Sequence, residues 1–225
     1  VEIVNAMYPL AVSLGVEFKM NALAEALLSN GREVTAVKTT NGSYEAAYCV
    51  AACDYHYADQ YLLQEPYRNY SKKYWATRKL SPSSLIFYIG VNGTLDNLEH
   101  HNLFFDAPFD EHASTLYENP AWPEDPLMYV CCPSKTDKTV APDGCENLFV
   151  LIPVAPGLHD TAANRDVYFD KVMQKLEERT GRNIRDSILY KRSYAHNVFE
   201  ADYFSFKGNA YGLSNTFMQT AILKP

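Results

Sequence analysis

The sequence predicts an α+β fold, in which a mixed β-sheet carries helices mainly on one face and is accompanied by a small β-meander. Residues 127–132 and 148–154 are apolar, β-rich runs on either side of a segment dense in turn formers, which indicates two buried strands joined by an ordered loop. Residues 165–180 have apolar side chains at helical spacing, and Gly181 follows directly, which predicts an amphipathic helix that ends before Gly181. We expect a meander over residues 16–52 and a main sheet that contains the strands around Leu85, Leu103, Leu127, Leu148 and Ile184.

The composition of the chain argues against a nucleic-acid-binding protein. The chain has 225 residues and a formal net charge of -7 at pH 7, so it lacks the basic surface typical of nucleic-acid binding. Its length suits one large unit, or a core with an appended segment. The 17 tyrosines and 11 phenylalanines would suit an apolar cavity, a membrane edge or an aromatic core.

Cysteine and histidine spacing predicts no metal site. The cysteines are odd in number and include a vicinal pair, which favours free thiols in a reducing cytoplasm. Their spacing matches no zinc motif. His100 and His101 are adjacent, and neighbouring residues of a strand point to opposite faces, so we expect them to be poor co-ligands. The cysteines are Cys49, Cys53, Cys131, Cys132 and Cys145.

Local patterns predict the remaining elements in order. Apolar residues at helical spacing indicate a helix over residues 1–14, with Gly15 as its C-cap. Residues 16–20 alternate as a short strand, and residues 22–28 favour a helix by propensity. The Asn30-Gly31 and Asn41-Gly42 pairs indicate hairpin turns. Further helices are expected at 55–63, 67–75, 108–117 and 197–204, and strands at 85–91, 101–105 and 184–190.

A basic, aromatic stretch follows Pro66. Its cations and rings suit either a membrane interface that faces anionic headgroups or a solvated helix face. No apolar run approaches the ~20 residues that span a bilayer. We therefore expect a cytoplasmic protein, whose contact with a membrane, if it has one, is peripheral. The residues are Tyr70, Lys72, Lys73, Tyr74, Trp75, Arg78 and Lys79.

Several motifs occur in the order known from one family. They lie before and within apolar strands along most of the chain. The motifs are Ser83-x-x-x-Phe87-Tyr88-Ile89-Gly90, His100-His101, Pro133-Ser134, Thr136-Asp137, Ala141-Pro142-x-Gly144, and Pro153-Val154 at a strand end. This arrangement resembles the middle of the phytoene desaturase family, which comprises the bacterial carotenoid desaturases among the FAD-containing, amine-oxidase-like enzymes.

The resemblance changes the prediction for residues 22–28 from a helix to a strand, and it implies a cofactor. It implies strands at 22–29, 33–39 and 44–52, against the helix propensity of the first. The backbone of the strand that contains Ala24 would contact the adenine side of FAD. Asp54 would lie where the chain leaves the FAD domain and enters the substrate domain. Asp54 is also suited to cap the helix that follows it.

The C-terminal run carries the other residues that the resemblance implies. Gly208-x-x-Tyr211-Gly212-Leu213, then Gln219, resembles a segment that crosses near the flavin and the substrate tunnel. Tyr211, Gly212 and Gln219 are therefore candidate substrate contacts, with a core aromatic as the other interpretation of Tyr211. The implied division is an FAD-domain edge at 1–54, a substrate-binding domain at 55–205 and a return segment at 206–225.

The family's glycine fingerprint is missing. No Gly-x-Gly-x-x-Gly occurs in the chain, so nothing is expected to hold a pyrophosphate at a helix N-terminus. We therefore expect a fragment of a larger enzyme that, alone, binds FAD weakly or not at all and has no turnover. The resemblance implies dehydrogenation of adjacent carbons of a hydrophobic polyene such as phytoene, with FAD taking the hydride.

Neither the residues nor the resemblance identifies a catalytic residue, and two alternatives stay open. Carotenoid isomerases and ketolases share the scaffold that the resemblance implies. A hydrophobic-ligand binding module without a redox role would account for the apolar strands and the aromatic residues. That module has no evident need for the meander.

Overall fold

The computed structural model describes residues 2–223 and confirms the α+β class. Its chain forms two compact units, one of residues 2–52 with 58–71 and the other of residues 53–57 with 72–223. The predicted division at residues 54 and 205 concerns a whole enzyme and stays a prediction.

The first unit contains helix α1 (Glu2–Ser13) and an antiparallel three-stranded sheet of β1 (Ala24–Ser29), β2 (Val34–Thr39) and β3 (Gly42–Glu45). Strand pairing overrides the helix propensity of residues 22–28, because β1 forms a ladder with β2 from Ala24 opposite Thr39 to Ser29 opposite Val34. The strand implied by the resemblance is thus confirmed. The predicted helix is confirmed over α1, while Val1 lies outside the described residues.

Two strand predictions in the first unit are wrong, one entirely and one in its length. Residues 16–20 form no strand, because within the described part of the chain they have no strand to pair with. The strand predicted at 44–52 ends at Glu45. Its last ladder partner is Ala36, and beyond it the amide of Ala46 bonds the Thr35 carbonyl at 3.0 Å, close to where β2 begins.

Residues 55–76 are less helical than predicted. Helix α2 (Tyr55–Tyr57) continues into a π-helical turn at Ala58–Leu62, and α3 spans only Lys72–Ala76. The predicted helix at 67–75 fails at its start because side chains hold residues 69 and 70 in place. Buried Asp59 accepts the Asn69 amide at 2.7 Å, and Gln60 Nε2 donates to the Tyr70 carbonyl at 2.7 Å.

The second unit is organised around a five-stranded sheet with the order β5-β6-β7-β4-β8. It contains all five predicted strands, but each neighbouring pair is antiparallel, so the sheet is not the mixed one that the sequence predicted. The predicted strand at 184–190 starts later, because a 3-10 turn at Arg185–Ser187 precedes it. The strands are β4 (Ser83–Asn92), β5 (His101–Phe104), β6 (Met128–Cys131), β7 (Cys145–Val154) and β8 (Ile188–Tyr194).

One face of this sheet forms the core. In β7 every second residue from Glu146 to Val154 is buried, as the alternation of a strand requires. Helix α5 (Ala162–Thr180) covers this face with its predicted apolar side, and Phe87 meets Phe169 with ring centroids 5.5 Å apart. Helices α4 (Phe109–Tyr117) and α6 (His196–Tyr203) complete the unit.

A buried carboxylate fixes the loop of the β6–β7 hairpin. Glu146 lies 2.8 Å from the Lys135 ammonium and 3.3 Å from the Cys132 thiol, and it accepts the Ser134 hydroxyl. Burial raises the pKa of the Glu146 carboxyl, but the hydrogen bonds from Lys135, Ser134 and Cys132 outweigh it and hold the pKa below 4.5. Burial also raises the pKa of the Cys132 thiol to about 11, so this thiol stays protonated.

Replacing Phe87 by Ala should lower the free energy of unfolding by about 3–5 kcal/mol, because a fully buried ring leaves a cavity under α5. Tyr88→Ala is the matched control, since Tyr88 lies on the opposite face and is 39% exposed. Urea unfolding of both variants measures the difference. Equal losses would contradict the assignment of the two faces.

Glu146→Gln should destabilise the protein by roughly 1–3 kcal/mol near neutral pH, because buried donors lose their charged acceptor. The folded-state pKa of Glu146 is lowered, so its contribution is present above about 4.5 and disappears as pH falls through the folded value. Urea unfolding across pH 3–7 should therefore show the two proteins converging in acid. A difference that stays constant with pH would oppose this.

Candidate functional site

The second face of the five-stranded sheet is rich in aromatic side chains. Tyr88 and Phe149 pair across β4 and β7 with ring centroids 5.5 Å apart, and Tyr129 of β6 follows at 6.3 Å from Phe149. Tyr129 lies opposite Leu151 in the ladder. The strand alternation that buries the first face thus presents a continuous apolar surface on the second.

A cavity of ≈ 360 Å³ lies between this surface and helix α4. Leu151 and Tyr129 contribute from the sheet, Ala113 and Leu116 contribute from α4, and Tyr211 also lines the cavity. Tyr211 is 67% exposed, which places it where the cavity meets solvent. The structure thus puts one predicted substrate contact in the wall of an apolar cavity.

The polar side chains Ser83 and His112 in this wall are already hydrogen-bonded. The Ser83 hydroxyl donates to the Gly208 carbonyl. His112 Nδ1 accepts the Leu127 amide at 2.9 Å, so its Nε2 carries the proton and donates to the Pro153 carbonyl at 2.8 Å. Buried His112 therefore fastens α4 to the ends of β6 and β7, and these two side chains leave the cavity apolar.

Asp54 links the start of the second unit to its C-terminal segment. Its Oδ1 accepts the Tyr57 amide at 3.0 Å, which caps α2 as the sequence suggested. Its Oδ2 accepts the Phe206 amide at 3.2 Å and the Asn209 side-chain amide at 3.3 Å. Asn209 Oδ1 in turn accepts the Gly212 amide. One carboxylate therefore positions the turn that carries Gly212.

A second pocket of ≈ 470 Å³ lies on the other side of that turn. Asp54, Asn209 and Gly212 line it, together with Ser205. The buried Ser205 hydroxyl has no hydrogen-bond partner among residues 2–223. The backbone at Tyr211 and Gly212 therefore runs between two pockets, one apolar and one with an unpaired hydroxyl.

Gly212 and Gln219 hold the C-terminal segment to the start of β4. Gly212 adopts a φ of 77°, a conformation that favours glycine, and its carbonyl accepts the Ser81 amide at 2.9 Å. Gln219 is buried, accepts the Lys79 amide at 2.9 Å and donates to the Lys79 carbonyl at 2.8 Å. Its amide group is thus used by the backbone. The contact of Gln219 with substrate or flavin stays a prediction.

Ala24 lies apart from these residues along the chain, in the first unit. It is half-buried on β1 opposite Thr39. Its predicted backbone contact with FAD stays a prediction.

The expectation that His100 and His101 point to opposite faces is wrong. Their ring centroids lie 4.2 Å apart, because His100 precedes β5 and strand alternation does not apply to it. One ligand atom from each ring and the Cys131 sulfur lie within 4.8 Å of one another. Sequence spacing could not reveal this group, since Cys131 joins it only through the pairing of β5 with β6.

The membrane-interface interpretation of the basic stretch is wrong for Trp75. This ring is 1% exposed and makes edge contacts with Tyr55 at 5.3 Å and His56 at 5.2 Å. Lys72 and Lys73 are exposed on α3. Residues 2–223 include no helix with the length and apolar character needed to cross a bilayer.

Comparison with known proteins first defines the fold class. The structure is similar to an oxidoreductase from Methanosarcina mazei, with a TM-score of 0.59, 16% identity, and coverage of 85% of this chain and 41% of that one. At this identity the likeness establishes a shared fold alone. No protein-family model matches the chain.

Sequence relatives are more specific. A carotenoid 3,4-desaturase from Haloarcula japonica is 39% identical over 224 residues, which is 99% of this chain. A 4,4'-diapolycopen-4-al dehydrogenase from Metabacillus indicus is 27% identical over 94% of the chain, and a 4,4'-diapolycopene oxygenase from Methylomonas is 29% identical over 93%. The chain is therefore similar over nearly its whole length to carotenoid desaturases and oxygenases, as the resemblance predicted. It spans 45%, 42% and 42% of these relatives' lengths.

Asp54→Ala should loosen the C-terminal turn, because the α2 cap and two bonds to residues 206 and 209 are lost together. We expect a loss of about 1–2 kcal/mol in the free energy of unfolding. Hydrogen exchange should become faster for amides 204–213 than for the β7 amides. Asp143→Ala, at an exposed loop position, serves as the control. Unchanged exchange at 204–213 would show that Asp54 does not hold the turn.

Proposed function

We propose that this chain forms the substrate-binding part of an FAD-dependent oxidoreductase that removes hydrogen from adjacent carbons of a carotenoid-type polyene. The observation that carries the proposal is the apolar cavity beside α4, where Ser83 and His112 are already hydrogen-bonded. A polyene offers neither charge nor hydrogen-bonding groups, so it suits such a wall. The carotenoid-modifying relatives support the same substrate class.

The size of the cavity indicates how a long substrate would bind. At ≈ 360 Å³ it lies near the lower end of ligand sites, which are about 300–1,000 Å³. We propose that it receives one end of the polyene with the carbons next to it. The remainder would lie along the exposed aromatic face, which Tyr129 and Leu151 connect to the cavity.

FAD is the cofactor that the family resemblance implies, and we propose that the whole enzyme binds it. These residues do not fit its pyrophosphate, because the sequence contains no Gly-x-Gly-x-x-Gly, the motif that forms such a turn between a strand and a helix N-terminus. The Asp54 carboxylate is also occupied by three hydrogen bonds. We therefore derive no step of flavin chemistry from these residues, and expect the 225-residue chain alone to bind FAD weakly or not at all.

The assignment of these residues to domains of the whole enzyme is also a proposal. Residues 1–54 would belong to the edge of the FAD domain, 55–205 to the substrate-binding domain and 206–225 to a return segment. A polyene dissolves in the bilayer core, so we propose peripheral membrane contact, with exposed Lys72, Lys73 and Lys79 as the basic surface.

Desaturation and oxygenation are the two reactions to separate, because relatives of both kinds match the chain. We favour desaturation, since the desaturase is 39% identical and the oxygenase 29%.

Ala113→Trp should lower polyene turnover by roughly 10-fold or more, because the larger ring fills the cavity wall contributed by α4. The protein at its natural length is supplied with FAD and phytoene in liposomes, and the products are separated by chromatography. Ala163→Trp is the control, since Ala163 is exposed on α5, which covers the other face of the sheet.

Two results would contradict the proposal. Unchanged turnover by a correctly folded Ala113→Trp protein would show that the substrate does not bind in this cavity. Hydroxylated or carbonyl products from the unmodified protein would replace desaturation with oxygenation.

A further inference from the structure

We propose that His100, His101 and Cys131 bind one divalent transition-metal ion of the Zn²⁺ type at the β5 side of the sheet. An imidazole nitrogen from each histidine and the Cys131 sulfur lie within 4.8 Å of one another. Imidazole and thiolate are the ligands that Zn²⁺ prefers in proteins. The inference does not depend on the proposed polyene chemistry.

Backbone pairing holds the three residues together. His101 and Cys131 are direct partners in the antiparallel ladder of β5 and β6, so their side chains share one face. The Cys132 amide donates to the His100 carbonyl at 2.8 Å, which ties His100 to the end of β6 although His100 lies outside β5 and does not follow its alternation. Two neighbouring backbone links therefore fix the positions from which the ligands project.

Each histidine has a hydroxyl partner that can orient its ring. His100 Nδ1 lies 2.6 Å from the Thr136 hydroxyl, and His101 Nδ1 lies 2.7 Å from the Tyr129 hydroxyl. When Nδ1 carries the proton and donates to the hydroxyl, the lone pair is on Nε2 and is free to bind a metal. This pairing of a ligating histidine with an outer hydrogen-bond acceptor is the usual arrangement around protein-bound metals.

The site requires only a small adjustment to close around an ion. Zinc ligands lie about 2.0–2.3 Å from the metal, so the rings and the thiol must approach one another by about 1 Å on binding. His101 is exposed and Cys131 half-buried, which leaves a fourth position open to water. Three protein ligands with one open position form a recognised coordination pattern for Zn²⁺.

Co²⁺ provides a test, because it replaces Zn²⁺ and reports a thiolate ligand by a charge-transfer band in the near ultraviolet. Chelator-treated, tag-free protein at its natural length is titrated with Co²⁺ alone. We expect one equivalent to bind and the band to appear, with Zn²⁺ then displacing the colour. Absence of the band at excess Co²⁺ would overturn the proposal.

Variants assign the ligands. Cys131→Ser should abolish the band, and His101→Ala, a change at an exposed side chain, should weaken Co²⁺ binding at least 10-fold. Tyr129→Phe should weaken binding by roughly 10-fold to 100-fold, as expected for a residue that orients a ligand. Cys145→Ser is the matched control, because Cys145 is another half-buried strand cysteine outside the cluster, and it should leave the band unchanged.

Near-ultraviolet circular dichroism checks that each variant is folded. If Cys131→Ser does not fold, His101→Ala still decides the question. Persistence of the band in folded Cys131→Ser, unchanged affinity in His101→Ala, or loss of the band in Cys145→Ser would each overturn the assignment.

Discussion

The antiparallel pairing of β4 with β7 is the interaction on which the second unit depends. It runs over ten residues of each strand, from Ser83 opposite Val154 to Asn92 opposite Cys145. Because side chains alternate along both strands, this one register sends Phe87 and Val150 to the core and Tyr88 and Phe149 to the other face. A slip of one residue would exchange the two faces. The core under α5 and the proposed polyene surface are therefore two consequences of one pairing.

Long-range polar contacts place the C-terminal segment against this sheet. Asp54 holds residues 206 and 209, and Gln219 holds Lys79 just before β4. These links bring positions more than a hundred residues apart to one edge of the cavity, where Tyr211 lies. Several residues that the family resemblance singled out thus shape the site through the backbone.

The hairpin loop between β6 and β7 shows where prediction from local patterns stops. Turn-forming residues and two apolar runs sufficed to predict the hairpin, and its motif carried the family resemblance. Glu146, placed in the core and paired with Lys135, gave no sign of its burial. A charged residue is normally expected on the surface, and it becomes stable inside only when partners from elsewhere in the fold surround it. The same limit hid His112 and the group of His100, His101 and Cys131.

The sequence by itself determined the α+β class, the five strands of the main sheet, the amphipathic helix α5 and the family resemblance, because these depend on periodicity, turn chemistry and motif order. Tertiary structure alone decided that residues 16–20 form no strand and that Trp75 is buried. It also decided which side chains converge, on the cavity beside α4 and at Cys131. The physical reason is that strand formation, burial and convergence depend on partners distant in the chain, and a local pattern contains no information about them.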